Sequence, residues 1–359
     1  MSELAAESAG FLRQLARVEL GRFDLLGGLR TAVLVLVPFA IGIAFGWGLA
    51  GVVATLGTLN VVLVMSPPPA ATPIHRLAVA AVTNALAFGA GAALVLLPTV
   101  LQVPLAGAGV LVALLLLRDP RWDLVGLTAA VMFVVAIGLP VSGLAVVPYR
   151  GGFLLAGGLW GVAGLVLLAP LGRRYEAARW ARFPRPATTA PLLWREVVRH
   201  ALLVGATVAA GLVIGLGLHL ERDPWIMLTV IVALRLDLRS TLAYAVARIA
   251  GTIAGAGLAF VVTETIVDPA ALLGVLAVAT VFAYGGRSVN YTFFAFWITP
   301  VVIVLLNLVY SGGPALAVTR VVDTVIGGGL ALLASLLLWT YLRLGRRAGA
   351  RSGAGEATR

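Results

Sequence analysis

Residues Gly285–Pro300 read GGRSVNYTFFAFWITP, so that Arg287, Asn290 and Tyr291 stand at the mouth of an apolar run. About 169 residues earlier, at a distance suited to an internal repeat, Leu117–Met132 reads LRDPRWDLVGLTAAVM and sets Arg118, Arg121 and Trp122 in the same relation to the next apolar run. The pairing extends further: Arg76 answers Arg248, and Arg150, Gly157 and Gly158 answer Arg320, Gly327 and Gly328. The chain reads as a duplication. Two similar halves that fix cations within apolar segments point to a pathway for an anion.

Composition sets the class. The 359 residues are 61% hydrophobic and 11% charged, with a mean hydropathy of +1.04, far too apolar for a soluble domain. An integral membrane protein is expected. The formal charge of +11 is not the footprint of a nucleic-acid binder, because the basic residues lie mostly between apolar runs, where they direct topology. There is no cysteine, which excludes disulfides and thiol chemistry, and all 26 basic residues are arginine. A chain without lysine has no P-loop lysine, Schiff base or lysine general base. His75, His200 and His219 are scattered, and the few acids form no paired site, so neither an enzyme nor a cofactor or metal site is expected.

Roughly six apolar runs precede residue 172 and six follow 197, each near the length that a bilayer demands. In the first half they cover about 25–46, 48–65, 77–97, 101–117, 124–147 and 151–171; in the second, about 198–218, 225–238, 241–263, 268–284, 291–310 and 315–341. The fold expected is an all-α integral membrane protein with about twelve transmembrane helices arranged as two parallel six-helix repeats. The short runs 48–65 and 225–238, flanked by glycine or proline, suit tilted, broken or re-entrant segments.

These runs divide the chain into five parts. Residues 1–24 lack the apolar core of a signal peptide, and Phe11, Leu15 and Val18 recur at helical spacing, as in an amphipathic helix lying on the membrane or a tail without structure. Residues 25–171 form the first membrane repeat, 172–196 an Arg/Pro-rich linker, 197–341 the second repeat and 342–359 a basic tail. With the N-terminus inside, the cytoplasmic segments collect nearly all the arginines, and only Arg150, Arg222 and Arg320 fall outside. Both termini and the linker are then cytoplasmic, in a plasma or inner membrane. An even number of spans per half makes the repeat parallel.

Arg248 and Arg320 lie about two turns inside their helices, where an arginine turned to lipid costs at least about 2.5 kcal/mol, so each should face the bundle or water. Asp323 stands one turn beyond Arg320 on the same face and could pair with it or take up a proton. Arg76 and Arg118, nearer the inner boundary, suit snorkelling to the headgroups. Arg287 could hold a carboxylate in a bidentate fork while Tyr291, Phe293, Phe294, Phe296 and Trp297 stack on its ring; the same aromatics, Trp297 above all, also suit an interfacial belt. The glycines of Gly251–Gly257 and Ile326–Ser335 are small-residue faces for close helix contact.

The second half resembles a known family. The run ERDPWIMLTVIVALRLDLRSTLAYAVARIAGTIAGAGLAF, followed by RSVNYTFFAFWITP and TRVVDTVIGGGLALL, is similar to the fusaric-acid-resistance-like family of aromatic acid exporters, of which plant aluminium-activated malate channels are distant relatives. The resemblance covers about residues 195–340 and rests on an ordered set: Leu238-Arg239-Ser240-Thr241, Arg248 with Gly251-Thr252, Arg287 with Asn290-Tyr291, and Arg320 with Asp323-Thr324. It implies a transporter or channel for organic anions, in which two six-span units are joined. The first half departs from the pattern, with Arg121-Trp122 in place of asparagine and tyrosine and Phe153 in place of Asp323, and the large cytosolic domain of many relatives is missing from this sequence.

Three function classes follow. A secondary exporter of small carboxylates, aromatic ones among them, would bind its anion with Arg248, Arg287, Asn290, Tyr291, Arg320, Arg118 and Arg121, and Asp323 would couple protons. A passive anion channel would select charge with the same arginines, without coupling. A membrane scaffold would use its polar residues only to hold helices together. The partners expected are a small organic anion and the lipid bilayer.

Overall fold

The computed structural model describes residues 19–65, 72–171, 192–218, 220, 224–310 and 312–356. Within them lie twelve α-helices and two short 3-10 turns, with no strand. The first six helices are α1 Leu25–Ala44, α2 Gly48–Val64, α3 Ile74–Leu94, α4 Thr99–Leu114, α5 Asp123–Ile137 and α6 Val146–Leu168. The others are α7 Trp194–Gly217, α8 Pro224–Ala233, α9 Leu238–Thr265, α10 Pro269–Gly285, α11 Tyr291–Tyr310 and α12 Gly313–Glu356. Each apolar run of the sequence thus carries one helix. The run 124–147 is cut short: α5 ends at Ile137 and α6 begins at Val146, because Gly138, Pro140 and Gly143 interrupt it. The amphipathic segment expected before residue 19 and most of the linker lie outside the described residues.

Polar residues punctuate the helices. Asp24, Asp237 and Asp268 cap α1, α9 and α10, each accepting the amide N–H three residues on, and Pro269 fills the first position of α10. Helix α1 stops at Gly46, whose φ of +70° is the left-handed geometry that glycine adopts without strain, and α2 starts two residues later.

Among the described residues eight helices are long and apolar enough to cross a membrane. The shorter apolar ones are α2, α5, α8 and α10. Helix α8, with ten residues, rises only about 15 Å, half of a hydrocarbon core. Eight of its residues are buried, so protein and not lipid surrounds this non-spanning backbone, the condition under which such a segment is tolerated.

Lipid tails are as apolar as leucine, so close packing must hold the helices together, and glycine makes it possible. In the first half α2 packs on α6, and α3 on α5 and α6; in the second α8 packs on α12, and α9 on α11 and α12. The most extensive contacts between the halves are α4 against α7 and α10 against α1, with smaller ones of α8 on α5 and α11 on α2. A Cβ on Gly157 would stand 1.8 Å from the Ala54 carbonyl oxygen, and one on Gly327 would stand 2.5 Å from that of Ile226, so α6 meets α2 as α12 meets α8, backbone against backbone. Gly107 and Gly205 face each other across the α4–α7 crossing. The Thr58 hydroxyl donates to the Gly157 carbonyl (2.8 Å), and that of Tyr284 to the Leu59 carbonyl (3.0 Å), tying α10 to α2.

Candidate functional site: a cationic cavity between the halves

A cavity of about 350 Å³ lies between the halves. Most of its wall is made by single faces of four helices: Val52, Leu56, Asn60 and Leu63 on α2; Leu124, Thr128, Val131 and Val135 on α5; Trp225, Leu228 and Val232 on α8; and Tyr291, Phe294, Ile298, Val302 and Leu305 on α11, with further residues added by α9, α10 and α12. Steps of three or four residues put each set on one side of its helix. Along α11 the lining runs from Tyr291 to Leu306, about 22 Å at 1.5 Å per residue, most of the depth of a bilayer core.

Charge enters from the second half only. Among the described residues the lining contains Arg235, Arg248 and Arg320, and no Asp or Glu. Gly251 and Gly255 let α9 approach the Thr292 and Phe296 carbonyls of α11, where a Cβ would stand 2.7 and 2.2 Å away. That approach sets Arg248, 4% exposed, beside Tyr291, to whose hydroxyl its Nη1 donates at 3.4 Å. The Arg248 Nε is buried and has no hydrogen-bond partner among the described residues. Tyr244 packs 4.9 Å from Tyr291, and the Arg235 guanidinium lies 3.8 Å over the Tyr244 ring. A turn fixes Arg235: its N–H donates to the Thr241 hydroxyl (3.0 Å), that hydroxyl donates to the Asp237 carbonyl (2.9 Å), and the Asp237 carboxylate caps α9 through the Ser240 N–H (2.8 Å).

Towards the other end, Arg320 on α12 is 2% exposed, with its guanidinium 3.7 Å over the Trp225 ring. Such a stack contributes about 2 kcal/mol where desolvated and keeps the cation from lipid. Asp323, one turn on, is fully buried but does not line the cavity. The first-half wall is neutral. Asn60 is its main polar group, with Nδ2 donating to the Leu56 carbonyl at 2.8 Å.

Of the residues singled out in the sequence, the fold brings Arg248, Tyr291 and Arg320 to one cavity. The other four lie elsewhere. Arg287 donates from Nη1 to the Val62 carbonyl (2.9 Å), capping the end of α2. Asn290 accepts from the Thr292 N–H (2.6 Å) at the start of α11. Arg118 is exposed, 5.6 Å over the Trp194 ring, and Arg121 pairs with Asp119 at 2.7 Å on the surface, its guanidinium drawing the Asp119 carboxyl down to about 2. The first-half arginines are also engaged: Arg76 with Asp123 at 3.6 Å, and Arg150 with the Pro140 carbonyl. Trp297 stacks on Phe282 (4.6 Å) away from the cavity, and of the aromatic cluster only Tyr291 and Phe294 line it.

Three lining residues, Arg235, Tyr244 and Trp225, were not apparent from the sequence. Arg235 counts there as a topology signal, and the turn that folds it over Tyr244 is carried by Leu238-Arg239-Ser240-Thr241, which stands out only as a family mark. Arg287→Ala should lower detergent thermal stability by about 1.5–3 kcal/mol, the worth of one charge-assisted hydrogen bond. An unchanged melting temperature would show that this bond does not hold the end of α2.

A buried arginine-lined cavity between apolar helices defines a multi-pass helical membrane protein. Residues 207–334, which contain Arg235, Tyr244, Arg248, Tyr291 and Arg320, match the family model described as fusaric acid resistance protein-like, so the half of the chain that carries the cavity arginines is similar to that family. The chain is 31% identical over 159 residues to uncharacterized protein ORF2 of Neisseria gonorrhoeae, covering 42% of this chain and 37% of that one. It is 28% identical over 160 residues to inner membrane protein YccS of Escherichia coli K12, covering 45% of this chain and 22% of that one. The chain thus spans well under half the length of these relatives. No solved structure matches it.

Proposed function

We propose that the protein is a secondary transporter of small organic anions, carboxylates in particular, which bind in the cavity against Arg248 and Tyr291 and pass Arg320 on the way across. The observation that carries this reading is the Arg248 guanidinium, buried beside an apolar cavity with one N–H unmatched among the described residues. A buried cation without full pairing is costly, and a carboxylate would satisfy it with a charge-assisted fork. The aromatic faces of Tyr244, Tyr291, Phe294 and Trp225 suit an apolar or aromatic body on the anion. Asp323, buried one turn from Arg320, is the group we assign to proton coupling.

The two halves act as parallel repeats about an axis through the cavity. In support, α2 and α8, and α5 and α11, occupy corresponding places in the chain order and wall the cavity in pairs, while α4 on α7 is matched by α10 on α1. The protein resides in the inner membrane, as the YccS name states for that relative, with both termini inside. Reporter fusions after Arg185 and after Arg359 should both give cytoplasmic signals; a periplasmic signal from either would break the parallel arrangement.

The direct test is flux from liposomes against a panel of aromatic and aliphatic carboxylates, with and without a pH gradient. Arg248→Gln should reduce flux of the best substrate by about 10–100-fold, the worth of a single charge-assisted hydrogen bond, while the protein stays folded. Full flux in that variant would remove the anion site, no flux of any carboxylate would leave a scaffold, and flux indifferent to the gradient would favour a passive channel.

A further inference from the structure

The ends of α7 and α12 meet at one face of the bundle, where two adjoining grooves of about 590 and 460 Å³ share Arg195, Arg199 and Leu338. We infer that this place is a binding site for an anionic phospholipid, with the phosphate held by Arg195 and Arg199 and an acyl chain lying on Val198, Leu202 and Leu338. Both helices are long and apolar enough to span a membrane, and their spanning segments end here at Trp194 and Leu344, so the groove sits where headgroups give way to chains.

Arg195 and Arg199 stand four residues apart on an exposed face, about 6 Å between their Cβ atoms, a spacing that lets two guanidinium forks grip one phosphate. Neither forms a salt bridge among the described residues. Below them the first groove is almost wholly apolar, and Leu202 is exposed towards the surrounding lipid. Two more cations flank it, Arg118 over the Trp194 ring at 5.6 Å and Arg343 over the Trp339 ring at 3.8 Å. The acids that border the second groove are Glu196 and Asp237, and Asp237 is occupied in capping α9. A cationic rim over an apolar floor complements a phospholipid with net negative charge.

The test is lipid binding by the full chain in neutral detergent, read by native mass spectrometry and by thermal melting while phosphatidylglycerol, phosphatidylcholine or inorganic phosphate is added. Phosphatidylglycerol should remain bound and raise the melting temperature, and phosphatidylcholine and phosphate should do neither. Arg195→Gln with Arg199→Gln should weaken phosphatidylglycerol binding about thirtyfold, taking roughly fivefold per arginine near a charged surface, without lowering the melting temperature in detergent alone. Arg195→Lys with Arg199→Lys, which keeps the charge and loses the forks, should bind phosphatidylglycerol more weakly than the parent and more tightly than the glutamine variant. An equal effect of phosphatidylcholine would reduce the groove to ordinary bilayer contact. An equal effect of phosphate would make it a free-anion site, and undiminished binding in the glutamine variant would place the lipid elsewhere; each overturns the inference. None of these readings depends on whether the central cavity transports anything.

Discussion

Replacing Gly157 by leucine is expected to leave no folded, monodisperse protein in detergent. A Cβ at this position would stand 1.8 Å from the Ala54 carbonyl oxygen and 2.7 Å from the Ala54 Cα, where real contacts essentially never fall below 3.0 Å. The obstacle is backbone in the middle of α2, so no side chain can swing aside and the whole helix must retreat. Ordinary overpacking costs about 1–3 kcal/mol, and displacing α2 from α6 should exceed that range. The same displacement would pull the Thr58 hydroxyl from the Gly157 carbonyl. Gly327→Leu should fail in the same way against Ile226. Gly152→Leu, also on α6 but with nothing within 4 Å of its Cβ, should fold as the parent does. Size-exclusion profiles of the three proteins decide the matter, and a symmetric, parent-like peak for Gly157→Leu would show that the close approach of α6 to α2 is not required.

Arg320→Leu should also destabilise the protein severely. Arg320 and Asp323 are both buried on α12, one turn apart on one face, and Arg320 is the nearest cation to Asp323 on its helix. Removing the cation one turn away leaves the buried Asp323 carboxylate less compensated in low dielectric, at a cost of up to about 3–5 kcal/mol. The double variant Arg320→Leu with Asp323→Leu removes both charges and should recover most of that stability, because a buried ion pair gives little net stabilisation over a well-packed apolar pair. Neither variant should transport. Melting temperatures of the parent, both single variants and the double variant form a thermodynamic cycle; additive losses would show that the two groups do not compensate each other.

The helices were largely legible because the bilayer imposes their length and composition: each of the twelve apolar runs carries a helix. The end of α5 was not, since the run 124–147 stays apolar through the break and only Gly138, Pro140 and Gly143 mark it. The cavity was half legible. Arg248 and Arg320 stood out because a cation inside an apolar helix demands an explanation, and Tyr291 because it is polar at the mouth of such a helix. Arg287, in the same motif, meets a backbone carbonyl of the other half, and no local pattern announces a partner 225 residues away. The cavity faces of α2 and α5 were invisible for a different reason. Both helices are apolar all round, so the side that lines a cavity has the same periodic signature as the side that packs or meets lipid.

A cavity whose fixed charges are all positive has a consequence in volts. An anion that crosses it without a proton carries net charge across the membrane, and each elementary charge is worth about 2.3 kcal/mol per 100 mV. In a cell with a negative interior that voltage alone favours outward movement of a monovalent anion, by roughly fiftyfold in concentration ratio at 100 mV. For an anion that crosses without the proton that Asp323 would couple, direction needs no gate or fuel built into the protein. The arginines of one half would supply the path, and the electrical polarity of the membrane would decide which way the traffic runs.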